Sequence, residues 1–378
     1  MTSTSPPLEL CGLDGANPLG FLAALGTLVT LHQAGHVGAR LGWRQSVTWS
    51  PVVDCKSIND RMALSQSLAD VLRGKSVTGD AEARREATQR EFDAAKKAVR
   101  DKREEIRLRG LGRDVRKAAV DAEVEPLRED LDRNRQGWLS ALKDAAPSPE
   151  LAIGKHIDCT DDEYRDHALG FLAGASHAQR ETLDLLAAFG SDACIEKSGR
   201  ITGTPFCFIT GSGHQYFLDT VRQLMDVVTP ERIHAALFES WTYRDEKRSM
   251  RWDPLEDRRY ALMDRNPSDD ESHTVWMANL LAYRALVLFP SAPRGRHLAT
   301  TGWNRLTDPS TFTWPIWEHS ADLDTIRSIL QLPELTSPKP NGSVLGARGV
   351  AAAFRARRIR VGSSSQYKVN FSPAGAIL

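Results

Sequence analysis

The sequence predicts an α+β fold: a helix-rich, two-part chain with small mixed or antiparallel sheets and a long charged helical hairpin inserted between the parts. Three observations lead there. Asn17-Pro18 opens a long apolar stretch, residues 43–54 are rich in β-branched and aromatic side chains, and residues 80–146 are charged at helical spacing. At 378 residues the chain exceeds the size at which one hydrophobic core usually stops growing, so two domains or one domain with a large insertion are expected. The division read from composition is an α+β region at 1–79, the hairpin at 80–146, a helix-rich central domain at 147–335 and a basic C-terminal segment with a β-hairpin at 336–378.

In chain order, Asn17 as N-cap and Pro18 at the first helical position predict a helix over 18–34 that stops at Gly35. Its apolar residues cover more than one face, and Gly20, Ala23, Ala24 and Gly26 permit close neighbours, so it belongs at the centre of the first domain. Residues 43–54 predict one or two short strands. From Asp80 to Lys117 sparse apolar positions, Phe92, Val99 and Ile106, mark a long exposed helix. A turn follows at Gly110-Leu111-Gly112, then a second helix from about 114 to 145 that Pro126 kinks or interrupts. Residues 80–120 hold thirteen Lys or Arg against nine Asp or Glu, whereas 121–146 hold four against seven, so one arm is mildly basic and the other acidic. Such an arm is expected to protrude. Further helices are expected at 161–173, 177–189, 214–227 and 271–289. Thr204–Thr210 reads as a strand meeting a Gly211-Ser212-Gly213 turn, and the Gly-, Thr-, Trp- and Pro-rich stretch to Trp317 as irregular loops.

Composition excludes several classes. Hydrophobic residues at 41% and charged residues at 26% are ordinary globular values. The apolar run Leu19–Leu31 is short for a bilayer span, and residues 1–18 hold no Lys or Arg to form a signal-peptide n-region, so a cytoplasmic location is expected. Five cysteines, odd in number and without a C-x-x-C pair, point to buried reduced thiols rather than disulfides or a zinc ribbon. Arg73-Gly74-Lys75-Ser76 lacks the earlier glycine of a phosphate loop, Ser212 lacks a nucleophile elbow, and the ten histidines form no close ligand pair. No catalytic set and no cofactor are expected.

Two segments suit nucleic acid. In 241–260, Trp241, Tyr243, Trp252 and Tyr260 interleave with Arg244, Lys247, Arg248, Arg251, Arg258 and Arg259: aromatic faces for stacking and cations for phosphate. A salt-bridged loop anchored by its aromatics is the alternative, since Asp245, Glu246, Asp253, Glu256 and Asp257 lie among them. Residues 336–378 hold seven Lys or Arg and no Asp or Glu, an asymmetry hidden by the balance of 49 against 49 over the chain. There Arg348, Arg355 and Arg357 precede a hairpin in which alternation is expected to bury Ile359, Val361, Tyr367, Val369 and Phe371. Arg358, Arg360, Lys368 and Asn370 then point outward together, toward a phosphate backbone or simply toward solvent.

The opening Leu13–Gly26, with Asn-Pro-Leu-Gly-Phe-Leu-Ala-Ala-Leu-Gly at its end, resembles the start of the large subunit of type I CRISPR surveillance complexes (Cascade), in particular the type I-G, formerly I-U, group. Thr204–Gln215, Met250–Leu262 and Thr313–Glu318 are similar to that group too. The resemblance implies a non-catalytic subunit that recognises the protospacer-adjacent motif, helps open target DNA and recruits a helicase-nuclease, while guide RNA reads the sequence. Its partners would be guide RNA, target DNA, and the backbone and guide-processing subunits, with no membrane. Gln215, Asn304 and Arg305, polar groups beside glycine turns, are the candidates for reading the motif. Two other readings remain: a metal-dependent nuclease using Asp253, Glu256 and Asp257, or a protein-interaction scaffold docking through the charged helices.

Overall fold

The computed structural model describes residues 6–173, 177–209, 215–256, 273–304, 309–362 and 367–378. Half of it is helical and its sheets are small and antiparallel, an α+β fold. The chain forms two compact units, Met1–Gly74 together with Lys155–Leu378, and Lys75–Gly154.

Helix α1 (Pro18–Gln33) starts where Asn17 accepts hydrogen bonds from the amides of Leu19 and Gly20, with Pro18 contributing no orphan N–H. Every residue from Pro18 to Leu31 is buried, which explains why the apolar residues respect no single face. Strands β1 (Leu8–Glu9), β2 (Arg40–Gln45) and β3 (Trp49–Asp54) form a three-stranded sheet in the order β1-β3-β2. Helix α2 (Arg61–Leu72) follows, capped by Asp60.

The second unit is built on α3 (Gly79–Leu108), α4 (Arg113–Glu123) and α5 (Glu125–Asp144). The expected second helix is thus two, broken at Val124 just before Pro126, whose ring is accepted in a first helical turn but not inside one. Val99, Ile106 and Val124 are buried together against Val120, Leu127 and Leu131, and Phe92 stacks on Trp138 with ring centroids 5.2 Å apart. Arg109 bridges Glu105 and Glu123 at 2.5 Å each, tying α3 to the end of α4.

The first unit resumes with α6 (Asp161–Leu172), α7 (His177–Phe189), α8 (Phe217–Met225), α9 (Pro230–Phe238), a two-residue ladder of β4 (Asp245–Glu246) with β5 (His273–Thr274), and α10 (Trp276–Arg284). Beyond these, β6 (Ser291–Arg294) and β7 (His297–Thr300) make a hairpin. The largest sheet runs β11 (Tyr367–Phe371), β10 (Ala352–Gly362), β9 (Thr311–Ile316), β8 (Trp303–Asn304), with β12 (Gly375–Ala376) also on β10. Helices α11 (Leu323–Leu330) and α12 (Gly342–Ala347) lie between β9 and β10 in the chain.

Two segments differ from expectation. Residues 204–209 form no strand; Cys207 N bonds back to Thr204 O in a turn that buries Phe206 and Phe208 in an aromatic cluster with Trp303, Phe312 and Phe371. Conversely, the stretch expected as irregular contains β6 to β9. Strand β9 is buried at all six residues, so it shows no alternation to read. Pro315 is tolerated because β8 pairs with Thr311 and Phe312 and does not reach it, so its missing N–H removes no ladder bond to that strand. The Gly211-Ser212-Gly213 turn lies outside the described residues.

Candidate functional site

The segments quoted for the family resemblance converge in one core. Asn17 Nδ2 donates to Asp253 Oδ1 at 2.9 Å, so the helix-opening Asn-Pro pair grips the Trp252-Asp253-Pro254 motif. Tyr243 Oη donates to Asp253 Oδ2 at 2.8 Å, and the Leu255 amide to Oδ1 at 2.9 Å. Trp252 is fully buried, its indole donating to Phe206 O at 2.9 Å. Trp314 donates to Gly15 O and Trp317 to Leu41 O, each at 2.8 Å. Asn279, a lone amide in the apolar α10, accepts from Met250 N and donates to Thr274 Oγ1. Such fully paired buried groups specify one arrangement of the elements that carry them.

The loop 243–251 wraps this network. Four non-glycine residues, Tyr243, Lys247, Arg248 and Arg251, sit at φ of 50°, 59°, 46° and 61°, a conformation that costs side-chain-bearing residues of order 1 kcal/mol each. Its supports are visible: Asp245 Oδ2 caps Trp276 N at 2.8 Å, and the Trp276 ring lies under both Arg232 and Arg248, each 4.6 Å from its centroid. Arg244 and Lys247 are exposed. Of the described aromatics in this segment, Trp252 is core and offers no face to a base, while Trp241 and Tyr243 are half-buried and donate to Ala236 O and Asp253. Tyr260, Arg258, Arg259 and Asp257 lie outside the described residues.

Burial pushes the Asp253 carboxyl up, against the pull of its three donors. Burial first and the neighbouring Asp253 second push Glu256 up to about 7, with Ser249 and Thr274 donating to its two oxygens. Both carboxyls therefore spend their oxygens inside the fold. Among the described residues no group of three or more His, Cys, Asp or Glu is arranged to hold a metal ion. A proton held by Glu256 in the fold but released on unfolding makes stability fall as pH rises from about 4.5 to about 7, by up to about 3 kcal/mol. Glu256→Gln, which cannot ionise, is expected to gain stability over wild type at pH 8 relative to pH 5. Urea titrations at the two pH values check this, and an equal difference at both would show that Glu256 ionises normally.

The C-terminal hairpin corrects the expected cationic face. Strand pairing sets Arg358 opposite Phe371 and Arg360 opposite Val369, so those arginines share a face with Val369 and Phe371 of β11, while Lys368 and Asn370 share the other with Ile359. The register follows from the connection: with Gly362 paired to Tyr367, even positions of one strand face odd positions of the other. Arg358 accordingly packs inward, its guanidinium 5.3 Å from the Phe208 ring centroid and donating to Cys207 O. Asn370, expected outward, is 2% exposed. Arg355 is a clamp, donating to Thr313 Oγ1, Leu335 O and Ser337 O. Arg348 meets Glu334 at 3.3 Å, an acid from just outside the acid-free segment. Arg357 and Arg360 remain exposed.

Of the three motif-reading candidates, Gln215 is exposed, Asn304 donates to Thr336 O at 3.4 Å from β8, and Arg305 lies outside the described residues. The structure brings the two arginine-rich segments together on Phe206–Phe208: Trp252 bonds Phe206 O, and Arg358 bonds Cys207 O and covers Phe208. Cys207 itself lies 3.8 Å from His156 Nε2, but burial pushes its thiol up to about 12, far from a reactive thiolate. Asn279 and the Asn17–Asp253 bond were missed from sequence; a single amide in an apolar helix was the available signal for the first. No helix among the described residues is long and apolar enough to cross a membrane. Neither a comparison with protein-family models nor one with curated proteins gives a match.

Proposed function

We propose that the chain is a nucleic-acid-binding, non-catalytic subunit of a Cascade-like CRISPR effector complex, which reads a protospacer-adjacent motif, helps open target DNA and recruits a helicase-nuclease. The observation that carries the binding is that Trp252, directly after the 243–251 loop, and Arg358 of strand β10 both bond to Phe206–Phe208, with Arg244 and Lys247 exposed on the loop and Arg357 and Arg360 exposed on the strand. A loop whose backbone is held in an uncommon conformation presents its cations with little freedom left to lose, which favours phosphate contacts. The assignment to a Cascade-like assembly, with guide RNA, target DNA and its other subunits as partners, rests on the sequence resemblance.

Each phosphate contact on duplex DNA contributes roughly 0.9 to the slope of log affinity against log salt. Replacing Arg244, Lys247, Arg357 and Arg360 with Ala is therefore expected to flatten that slope by about 3 to 4 units, with folding little changed because all four are exposed. An unchanged slope in a salt titration of DNA binding would remove this surface from the function. Arg358 is left out of the variant because it packs on Phe208 and its loss would act through the fold.

A further inference from the structure

The tip of the helical hairpin carries a feature that the nucleic-acid reading does not use. Arg113, Arg116, Lys117 and Val120 stand at i, i+3, i+4 and i+7, one stripe along α4. With Leu111 they line an open hollow of about 360 Å3. The neighbouring cations are neutralised within the hairpin, Arg107 by Glu104 and Arg109 by Glu105 and Glu123. Among the described residues no carboxylate lies within 4 Å of Arg113, Arg116 or Lys117. Arg116 is instead held by its bond to Leu111 O at 3.2 Å, over the rim of the hollow. At the end of α3, just before the turn that carries Leu111, Leu108 is 74% exposed, a large apolar side chain that the hairpin itself leaves uncovered.

We infer that this stripe is a docking site for an acidic amphipathic segment of a partner protein, one large apolar side chain seated between Leu111 and Val120 with carboxylates on Arg113, Arg116 and Lys117. The composition decides between anions. A phosphate backbone satisfies the three cations but leaves the apolar lining of the hollow, Leu111 and Val120, against water or sugar. A helical acidic segment satisfies both, since carboxylates spaced by three and four residues match the cation spacing and flank an apolar anchor. The hollow, at the small end of ligand pockets, has room for such an anchor. The inference concerns the unit Lys75–Gly154 and stands whether or not the other unit binds DNA.

The test uses the full chain and a fluorescent fourteen-residue helical peptide of Glu and Ala with one central Leu. Binding by anisotropy is expected to weaken at least tenfold when that Leu becomes Ser, and at least tenfold in the variant Arg113→Glu, Arg116→Glu, Lys117→Glu. A peptide with Lys in place of Glu is expected to restore binding to that variant, which a merely misfolded hairpin could not do; circular dichroism of the variant provides the control for helix content. Two results overturn the inference: affinity that ignores the Leu-to-Ser change, or a single-stranded oligonucleotide that competes for the stripe and outbinds the peptide. Absence of binding by the wild type overturns it as well.

Discussion

Gly26→Ala is expected to destabilise the protein by about 2 to 3 kcal/mol, and Gly26→Leu to abolish cooperative folding. A methyl group at Gly26 would overlap the carbonyl of Leu281, so α1 and α10 approach there backbone to backbone. Alanine is the better helix former, by about 1 kcal/mol, which would stabilise an exposed site. Here that gain is outweighed, because the obstructing atom is main chain within a buried helix and cannot swing away. The control is Gly38→Ala, where an added methyl meets nothing within 4 Å and the change should stay within about 0.5 kcal/mol. Urea midpoints of the two variants measure the difference; a Gly26→Ala protein as stable as wild type would mean that α1 and α10 do not touch at this point.

Asp253→Ala is expected to cost about 3 to 5 kcal/mol, because it strands Asn17 Nδ2, Tyr243 Oη and the Leu255 amide together around the place of a fully buried carboxyl. Asp253→Asn keeps one acceptor oxygen and places an amide where the other stood, so its loss should be smaller, about 1 to 2 kcal/mol. The order, alanine worse than asparagine, is the signature of a carboxyl used for hydrogen bonding inside the fold. Denaturant titration measures it. An Asp253→Ala protein of unchanged stability that loses a metal-dependent cleavage of DNA present in wild type would instead establish the carboxyl as chemical machinery.

What could be read from sequence was local. Asn17, Pro18 and Gly35 bracket α1 because caps act within one turn, and the spacing of Phe92, Val99 and Ile106 announces α3 because a helix repeats its own geometry. What could not be read depends on partners distant in the chain. The C-terminal alternation was recognised but its strands were paired with the wrong parity, and that alone moved Arg358 from solvent onto Phe208. The segment 336–378 has no acid of its own, yet the fold brings Glu334 to Arg348. Aromatics next to arginines suggest stacking on bases, whereas Trp252 packs edge-on against Phe206 in the core, since an indole's burial cannot be told from its neighbours in sequence. The strained residues of 243–251 carry no glycine or asparagine to announce them, being held by Asp245 and Trp276.

The indole of Trp314 closes on the carbonyl of Gly15 across 299 residues of chain, and that separation has a consequence for synthesis. A ribosome adding about 5 to 20 residues per second takes on the order of 15 to 60 seconds to deliver the tryptophan after the glycine. For most of that interval α1 lacks α10 and the large sheet, and the apolar surface that they cover in the finished fold is open to solvent. The hairpin between has no such delay, since its own residues complete its core. The nascent protein therefore passes through a stage with a finished arm and an unfinished body, the stage at which a trigger-factor-like holdase has the most surface to cover and at which truncated products aggregate.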